Sequence, residues 1–387
     1  MKWEYKTLDQ LGTVSRGKSK HRPRNDPKLF GGKYPFIQTA DVKNADYYIT
    51  KYSDTYNESG LAQSKLWDKG TLCITIAANI ADTGVLAFPA CFPDSIMGFV
   101  PFEGVANTRF IKYCFDRLQR DCKQISQGTA QDNLSWEKLS TIKFCIPEYK
   151  EQCRIADILS AYDDLIENNQ KQIKLLEEAA QRLYKEWFVD LRFPGHENTE
   201  IVDGVPDGWK KERLVDIAEI QYGYAFDGTL FNADKNGTPI IRIRNIPQAE
   251  TMDYTTEHVS ENYLVQNGEI IVGMDGEFHI NAWAGNTAYL VQRVCCIRPK
   301  NTEIKGWLLQ AIYEPIKFFE HTVVGATVSH LGKKHLDSIY LLTSPEEFYE
   351  PFKTFFDKRL LLMNQDRKLR EARDRLLPKL MSGKVKV

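Results

Sequence analysis

An internal repeat constrains the fold of this chain more than any other feature of its sequence. When Trp3 is aligned with Trp209, three further stretches match in the same order, and only the loop lengths between them differ. Such collinear self-similarity predicts two similar domains within one chain. The matching stretches are "YPFIQTADV" with "TPIIRIRNI", "LWDKGTLCITI" with "LVQNGEIIVGM", and "QGTAQDNLSWEKLSTI" with "VGATVSHLGKKHLDSI".

The repeat also decides how a nucleotide-binding pattern near the N-terminus is interpreted. "GTVSRGKS" (12–19) fits G-x-x-x-x-G-K-S, but its second copy, "AEIQYGYA" (218–225), keeps only the second glycine. A phosphate-binding loop also needs a helix after it, whereas "KHRPRNDP" has no helical period. The sequence therefore argues against a P-loop. Gly17 and Gly223 are predicted instead to mark a turn with an unusual backbone angle.

Each copy of the repeat has a β-rich part followed by a long helix. Short β-type runs such as "TLCITI" and "EIIVGM" are broken by Gly, Pro and Asn, and a stretch without Gly or Pro follows the first set. The predicted class is therefore α+β. The predicted boundaries are 1–147 for the first β-rich domain, 148–192 for the central helix, 193–208 for a polar linker, 209–345 for the second β-rich domain and 346–387 for the C-terminal helix.

The central helix carries apolar residues at alternating steps of four and three, and the C-terminal helix keeps the same frame with a more mixed seam, which predicts a coiled coil. Asn169 lies in this seam, where a polar residue commonly fixes the register. Arg359, Asp366 and Arg373 recur along the second helix, where they either meet polar partners across the seam or belong to a solvated face. The predicted seam residues are Ile155, Leu159, Tyr162, Ile166, Asn169, Ile173, Leu176, Ala180, Leu183 and Trp187, followed by Leu362, Leu369, Leu376 and Leu380.

The two helices are expected to pack on each other, because neither can bury its apolar stripe alone. An antiparallel pair would place the two domains at opposite ends, related by a pseudo-two-fold axis. A helix of some forty residues extends about 60 Å, so the pair would act as a spacer of fixed length.

Composition excludes several classes of protein. There are 51 Lys and Arg against 52 Asp and Glu, so the chain has no overall basic excess. No apolar run is long enough for a membrane helix. The eight cysteines form no C-x-x-C pair, which favours buried thiols in a reducing cytosol over a metal site. The absence of G-x-G, D-P-P-Y, N-P-P-Y and H-E-x-x-H motifs argues against catalysis.

A duplicated domain on a fixed spacer suits DNA with two half-sites about one helical turn apart. Arginine, lysine, asparagine and glutamine can contact phosphates and base edges. The alternative for the basic run "RGKSKHRPRNDPK" (16–28) is a solvated loop, and the alternative for the polar stretches "GTAQDN" and "GATVSH" is an ordinary turn. Arg242 and Arg244 are predicted to share one face of a strand. The candidate DNA-contacting residues are Arg16, Lys18, Lys20, Arg22, Arg24, Gln131, Asn133, Tyr222, Tyr224, Arg242, Arg244, Asn245, Ser329, His330, Lys333 and Lys334.

With these features in place, the chain resembles the specificity (S) subunit of type I restriction–modification systems over nearly its whole length. The segments "RLYKEWFVDLRFPGHE" and "RLLPKLMSGKVKV", which close the two helices, carry the resemblance most specifically. It implies that each β-rich domain is a target recognition domain for one half of a split DNA sequence. Because "RGKSKHRPRNDP" and "YGYAFDGTLFNA" differ strongly, the two half-sites are expected to differ.

The same resemblance implies the partners. The helices would set the spacer and dock two methyltransferase (M) subunits, which methylate adenine at N6 with S-adenosylmethionine. Two restriction (R) subunits would add ATP- and Mg-dependent translocation and cleavage, and the S subunit would hold none of these cofactors. Trp187, Phe188 and Leu380 either face the M subunits or pack the helix ends together. The alternatives are a specificity module of another defence complex and a coiled-coil scaffold that binds proteins.

Overall fold

The computed structural model describes residues 3–76, 82–125, 136–322, 330–385 and 387. The chain forms two compact units: one contains Met1–Leu165 with Leu369–Val387, and the other contains Ile166–Lys368. Each unit therefore combines one β-rich domain with a segment of both long helices. The predicted fold class, two similar β-rich domains with two long helices, is confirmed.

The first unit is built on a mixed sheet with the strand order β2-β8-β6-β7-β4, in which only β4 and β7 run parallel. Two small antiparallel pairs, β1 with β9 and β3 with β5, flank it. The elements are β1 Glu4–Lys6, α1 Leu8–Leu11, β2 Gly12–Arg16, β3 Phe30–Phe36, α2 Thr39–Lys43, β4 Tyr48–Ile49, β5 Asp54–Tyr56, α3 Glu58–Ala62, β6 Leu72–Thr75, β7 Thr83–Leu86, β8 Ile96–Pro101, α4 Thr108–Ile125, α5 Trp136–Thr141, β9 Phe144–Ile146 and the long helix α6 Tyr149–Tyr184.

The second unit contains an antiparallel sheet ordered β13-β21-β18-β19 and a second sheet ordered β14-β16-β15-β20-β17. A π-helical turn at Lys185–Val189 extends α6. The further elements are β10 Ile201–Val202, β11 Val205–Pro206, β12 Lys210–Arg213, α7 Leu214–Ile217, β13 Ala218–Tyr222, β14 Phe231–Asn232, β15 Thr238–Ile241, β16 Tyr254–Thr255, β17 Leu264–Val265, β18 Ile270–Gly273, β19 Ile280–Ala282, β20 Ala288–Leu290, β21 Val294–Pro299, α8 Lys305–Ala311, α9 Tyr313–Thr322, α10 Lys333–Asp337, β22 Tyr340–Thr343 and the long helix α11 Glu350–Leu380.

The predicted repeat is visible in the strand pairing of the two units. β2-β8-β6 of the first unit corresponds to β13-β21-β18 of the second, and the pair β1 with β9 corresponds to β12 with β22. The aligned glycines Gly70 and Gly268 both have a positive φ, 88° and 84°, in the turn before the central strand. Collinear sequence matches thus correspond to equivalent backbone positions.

Gly17 and Gly223 are also equivalent, but the predicted reason for them is wrong. Neither residue is among those with a positive φ. Instead, a Cβ at Gly17 would lie 2.3 Å from the carbonyl oxygen of Phe92, and one at Gly223 would lie 2.1 Å from that of Val291. Glycine is needed because two backbone segments approach closely, not because the chain turns left-handed.

The core of the first unit joins its sheet to both long helices. Phe99 and Phe110 are fully buried from β8 and α4, and Ile155 of α6 packs into the same cluster as Leu377 and Leu380 of α11. The first β-rich domain and segments of both helices therefore share one apolar core. Burial of this kind stabilises a fold by about 25 cal/mol per Å² of apolar surface.

The second unit has an aromatic core at the end of α6. Phe188 is 6% exposed and lies within 6 Å, centroid to centroid, of Trp209, Trp307 and Phe352. The Trp187 ring is half-buried against Phe352. In the first unit, Leu380 is 1% exposed. Of the two roles considered for Trp187, Phe188 and Leu380, the structure shows the packing of the helix ends.

The long helices run antiparallel within the second unit, as the polar contacts show. Asn169 Nδ2 donates to Asp366 Oδ1 at 2.8 Å, and further along α6 Glu177 accepts from Arg359 Nε at 2.7 Å. In the first unit, Arg373 of α11 donates to the buried Asp163 of α6. Of the two alternatives for Arg359, Asp366 and Arg373, the structure shows polar partners across the seam. All the predicted seam residues are buried or half-buried.

Two further observations concern the helices and the thiols of the described ranges. No helix there has both the length and the apolar composition of a membrane span. Free cysteines are buried at five of the described positions, and burial raises the pKa of the Cys295 thiol to about 12. These five are Cys73, Cys91, Cys114, Cys295 and Cys296.

Candidate nucleic-acid interface

The basic run of the first unit forms a loop between β2 and a 3₁₀ turn at Pro27–Leu29. The loop starts on fixed backbone, because Lys18 N–H donates to the carbonyl oxygen of Phe92 at 3.0 Å. It ends at Asp26, whose Oδ1 accepts from Lys28 N–H at 3.0 Å and whose Oδ2 lies 2.9 Å from His21 Nε2. The Walker-type pattern is thus a strand followed by a capped loop, with no helix to bind phosphate.

The five predicted cations are Arg16, which ends β2, and Lys18, Lys20, Arg22 and Arg24 of the loop, and all five are exposed. Arg24 pairs with Asp94 at 2.8 Å, and the Arg22 guanidinium donates to the carbonyl oxygens of residues 19 and 21. Within the described ranges, Arg16, Lys18 and Lys20 have no ion-pair partner. Three positive charges on one exposed loop can therefore contact an external anion such as a phosphate.

A cleft of about 500 Å³ opens beside this loop. Its polar lining combines hydrogen-bond donors and acceptors rather than a single charge type. Gln38 Nε2 donates to Asp54 Oδ2 at 2.5 Å, which orients the glutamine amide in the cleft. The lining side chains that matter here are Arg24, Asn25, Phe36, Gln38, Thr39 and Asp54.

The second unit has a cleft of about 620 Å³. Its lining is more basic than that of the first cleft, so the two present different chemistry to a ligand. The side chains that matter here are Phe226, Phe231, Arg242, Arg244, His279 and Arg293.

The two clefts occupy equivalent positions in the repeat. Gln38 aligns with Arg242, and both stand immediately before a short helical turn. The backbone N–H of Gln38 donates to Asp41 Oδ2 at 2.7 Å, and that of Arg242 donates to Asn245 Oδ1 at 2.8 Å. The same capped turn therefore presents a glutamine to one cleft and an arginine to the other.

The prediction that Arg242 and Arg244 share a strand face is wrong. β15 ends at Ile241, and Ile243–Asn245 forms a 3₁₀ turn, so the two side chains do not alternate as in a strand. Arg244 makes a bidentate pair with Asp253, at 3.1 and 2.5 Å. The Arg242 guanidinium carbon lies 5.6 Å from the ring centroid of Phe231.

Two other residues predicted to contact DNA are instead held by contacts inside the second unit. Asn245 accepts from Arg242 N–H, and its Nδ2 donates to Asp253 Oδ2 at 3.3 Å, so its amide holds the turn. Tyr222 packs against the apolar core, where burial raises its pKa to about 12 and its hydroxyl is enclosed. Neither side chain is available to a base edge in this arrangement. Tyr224 is half-buried against Phe226 and Tyr263.

The remaining described candidates of the second unit come directly after residues 323–329. His330 Nδ1 is 2.6 Å from Asp275 Oδ1 and 3.2 Å from Arg293 NH1, which links it to the cleft. Lys333 and Lys334 are exposed at the start of α10 and do not line the cleft. The candidates Gln131, Asn133 and Ser329 lie outside the described residues.

Sequence reasoning missed Gln38, Arg293 and His279. Gln38 could have been found, because it aligns with the predicted Arg242. Arg293 follows a strand of the second sheet and has a φ of 73°, a region that favours glycine and that single-sequence patterns do not reveal. Its pairing with Asp275, Nε to Oδ2 at 3.3 Å, depends on tertiary structure alone.

Metal chemistry finds no geometric support in the described part of the chain. No group of three or more His, Cys, Asp or Glu side chains is placed there to hold an ion. What the clefts and the basic loop offer is hydrogen bonding, positive charge and aromatic surface. These are the groups by which proteins contact phosphates and base edges.

Comparison with known proteins agrees with this geometry. The family model described as "Type I restriction modification DNA specificity domain" matches residues 1–178 and 206–347, once in each copy of the repeat. The MjaIX specificity subunit of Methanocaldococcus jannaschii is 26% identical over 100% of this chain and 94% of its own length. The EcoBI specificity subunit of Escherichia coli is 32% identical over 36% of this chain and 30% of its own.

Among solved structures, the type I restriction–modification S subunit of M. genitalium superposes with a TM-score of 0.57. The alignment covers 98% of this chain and 96% of that one at 16% identity, so it supports the fold. The family model covers well over half of the sequence, in two copies that coincide with the structural repeat. The chain therefore belongs to the family of type I restriction–modification DNA specificity subunits.

Proposed function

We propose that this chain is the non-catalytic DNA-recognition subunit of its complex, and that each β-rich domain recognises one half of an asymmetric, bipartite sequence. The observation that carries this proposal is the pair of clefts at equivalent repeat positions with different linings. Equivalent placement predicts that both domains meet the duplex in the same way. Different linings, Gln38 against Arg242, predict different half-site sequences.

The test of this proposal is the methylation motif of a host that carries the chain with its M subunits. We expect a split motif with unlike halves and an unspecified spacer of constant length. A palindromic motif would contradict the assignment of different sequences to the two domains. A motif that consists of one continuous sequence without a spacer would contradict recognition of DNA by both domains.

The basic loop of the first unit is proposed to contact phosphates. Replacing Arg16, Lys18 and Lys20 together by Ala should weaken binding to all sequences by a similar factor. Each phosphate contact contributes about 0.9 to the slope of log K against log salt, so the slope should fall by about 2 to 3. Lys33→Ala is the matched control, because Lys33 pairs with Glu58 in the same domain. An unchanged slope in the triple variant would remove the loop from the interface.

The long helices are proposed to set the spacer and to dock two M subunits, which methylate adenine N6. S-adenosylmethionine would be held by the M subunits, and ATP and Mg by two R subunits. Support comes from apolar side chains that face away from the seam: Leu165, Leu175 and Leu361 are 51%, 63% and 57% exposed. Exposed apolar surface of this kind commonly marks a protein interface.

The scaffold alternative makes a different prediction for the assembled complex. A scaffold that binds only proteins should retard every duplex equally in a gel shift with M subunits present. The recognition subunit should retard a duplex that carries the motif at lower concentration than one with either half-site scrambled. A specificity module of another defence complex would give the same gel-shift result. It would be distinguished by the genes that lie beside the gene for this chain.

A further inference from the structure

One arginine of the second cleft differs from its neighbours in how it is held. We propose that Arg242 selects guanine at one position of the half-site recognised by the second β-rich domain. This inference rests on the proposed function and assigns one residue and one base within it. It starts from the fixed position of the Arg242 backbone.

The backbone of Arg242 is anchored on both sides. The preceding residue, Ile241, is fully buried and pairs with Leu290 in the sheet. The Arg242 N–H donates to Asn245 Oδ1 at 2.8 Å, which closes the turn that follows. The side chain therefore leaves the protein from a fixed point on the cleft wall.

The guanidinium of Arg242 is positioned without use of its N–H donors. Its central carbon lies over the Phe231 ring, 5.6 Å from the centroid, and the side chain is half-buried. A cation on an aromatic face is attracted by the ring quadrupole, which limits its motion. Within the described ranges, the Arg242 side chain has no ion-pair or hydrogen-bond partner, so its donors are available to a ligand.

The other arginines that line this cleft are already paired. Arg244 holds Asp253 with two hydrogen bonds. Arg293 lies 3.3 Å from Asp275 Oδ2 through its Nε and 3.2 Å from His330 through NH1. Their charges are partly neutralised and their donors are in use. Arg242 is thus the cleft arginine best placed to donate two parallel hydrogen bonds.

Two parallel donors match guanine, which presents O6 and N7 as adjacent acceptors in the major groove. A phosphate also accepts such a pair. Phosphates, however, are the same in every sequence, so a phosphate contact at Arg242 would change the affinity for all duplexes equally, and the experiment below measures this difference. The equivalent position in the first copy is the neutral Gln38, held toward Asp54. The side chain at this position thus differs between the two copies, whereas the capped turn that carries it is the same. This combination fits a residue that selects a base.

The experiment compares the specificity of variant complexes, assembled with their M subunits, on duplexes randomised at both half-sites. Arg242→Gln installs the residue of the first copy. We expect it to lose guanine preference at one position of one half-site, by on the order of 5- to 150-fold, with the other half-site unchanged. Arg213→Gln is the matched control, because that exposed arginine of the same unit pairs with Asp216 and does not line the cleft. It should leave the preference at this position in place.

A second variant separates base contact from charge. Arg242→Lys keeps the positive charge but lacks the planar fork. We expect it to weaken the guanine preference, less than Arg242→Gln does, while the slope of log K against log salt stays at the wild-type value. Retained recognition of the first half-site, in both variants, shows that the complex is folded and assembled.

Three results would overturn the inference. They are an equal loss of affinity for all sequences, an unchanged guanine preference, and a change that appears in the half-site of the first domain. Absence of a bipartite motif in the wild-type complex would reject the proposed function itself, and the inference with it. If the wild-type complex has a bipartite motif and Arg242→Gln has the same base preferences as the wild type, the inference is rejected and the proposed function is not.

Discussion

Replacing Arg373 by Met tests the polar layer between the long helices in the first unit. The Asp163 side chain is 2% exposed and that of Arg373 is 17% exposed. Asp163 accepts from the Arg373 guanidinium and from the Tyr113 hydroxyl. Removing the arginine would leave a buried carboxylate with a single neutral donor. Breaking a buried pair in this way costs about 3–5 kcal/mol of folding free energy at neutral pH.

The loss of folding free energy in Arg373→Met should depend on pH in a defined direction. Burial raises the pKa of the Asp163 carboxyl above its ordinary value of 3.8, and Arg373 and Tyr113 oppose that rise. A carboxyl whose folded pKa is raised favours the folded state at low pH, and this contribution is lost as pH rises through the folded pKa. Without Arg373 the pKa rises further, and one unit of pKa corresponds to about 1.4 kcal/mol. The variant should therefore be less impaired at about pH 5 than at about pH 7.5.

Hydrogen exchange of the amides in 149–165, within the full chain, reports the stability of this unit separately. Arg375→Met is the matched control on the same helix, because Arg375 is 76% exposed and pairs with Glu371. We expect that control to cost less than about 0.5 kcal/mol. Equal losses in the two variants, or a loss in Arg373→Met that is the same at both pH values, would refute the reasoning.

Two further predictions concern the second unit. Gly223→Ala should destabilise it by about 1–3 kcal/mol, because the new Cβ would meet the Val291 carbonyl oxygen, whereas Gly228→Ala, with open space around it, should change the urea midpoint little. Asn169→Ala should cost about 1–3 kcal/mol by removing the hydrogen bond to the buried Asp366, as measured by urea unfolding. A wild-type midpoint in Gly223→Ala would contradict the close approach, and one in Asn169→Ala would contradict the polar layer.

The helices and the repeat could be predicted because their signals are local or repeated. A seam without Gly or Pro placed the central helix at 148–192, and the structure has Tyr149–Tyr184 with a π-helical turn to Val189. The seam left open whether Arg359 and Arg373 meet polar partners or belong to a solvated face, and it could not name those partners. They come from α6 and, for Arg359, also from Asn281 of the β-rich domain.

The candidate site could be predicted only in part, because its details depend on where one strand stops. The two arginines near Ile241 were assigned to one face on the assumption that the strand continued. Asn245 ends it by accepting from the Arg242 N–H, and Asp253, nine residues further along the chain, then binds Arg244. Such contacts act through backbone atoms or across a turn, so the two-residue period of a strand does not reveal them.

The first unit is built from two segments that lie far apart in the sequence, and this has a consequence for its folding during synthesis. Its core needs Leu377 and Leu380, which leave the ribosome about two hundred residues after Leu165. Synthesis proceeds at roughly 5–20 residues per second, so an apolar face of the nascent N-terminal domain stays uncovered for about 10–40 s. Partner subunits or chaperones that cover this face during translation would govern the yield of active complex. A truncation that removes 369–387 should therefore destabilise the first β-rich domain, although that domain is synthesised earlier.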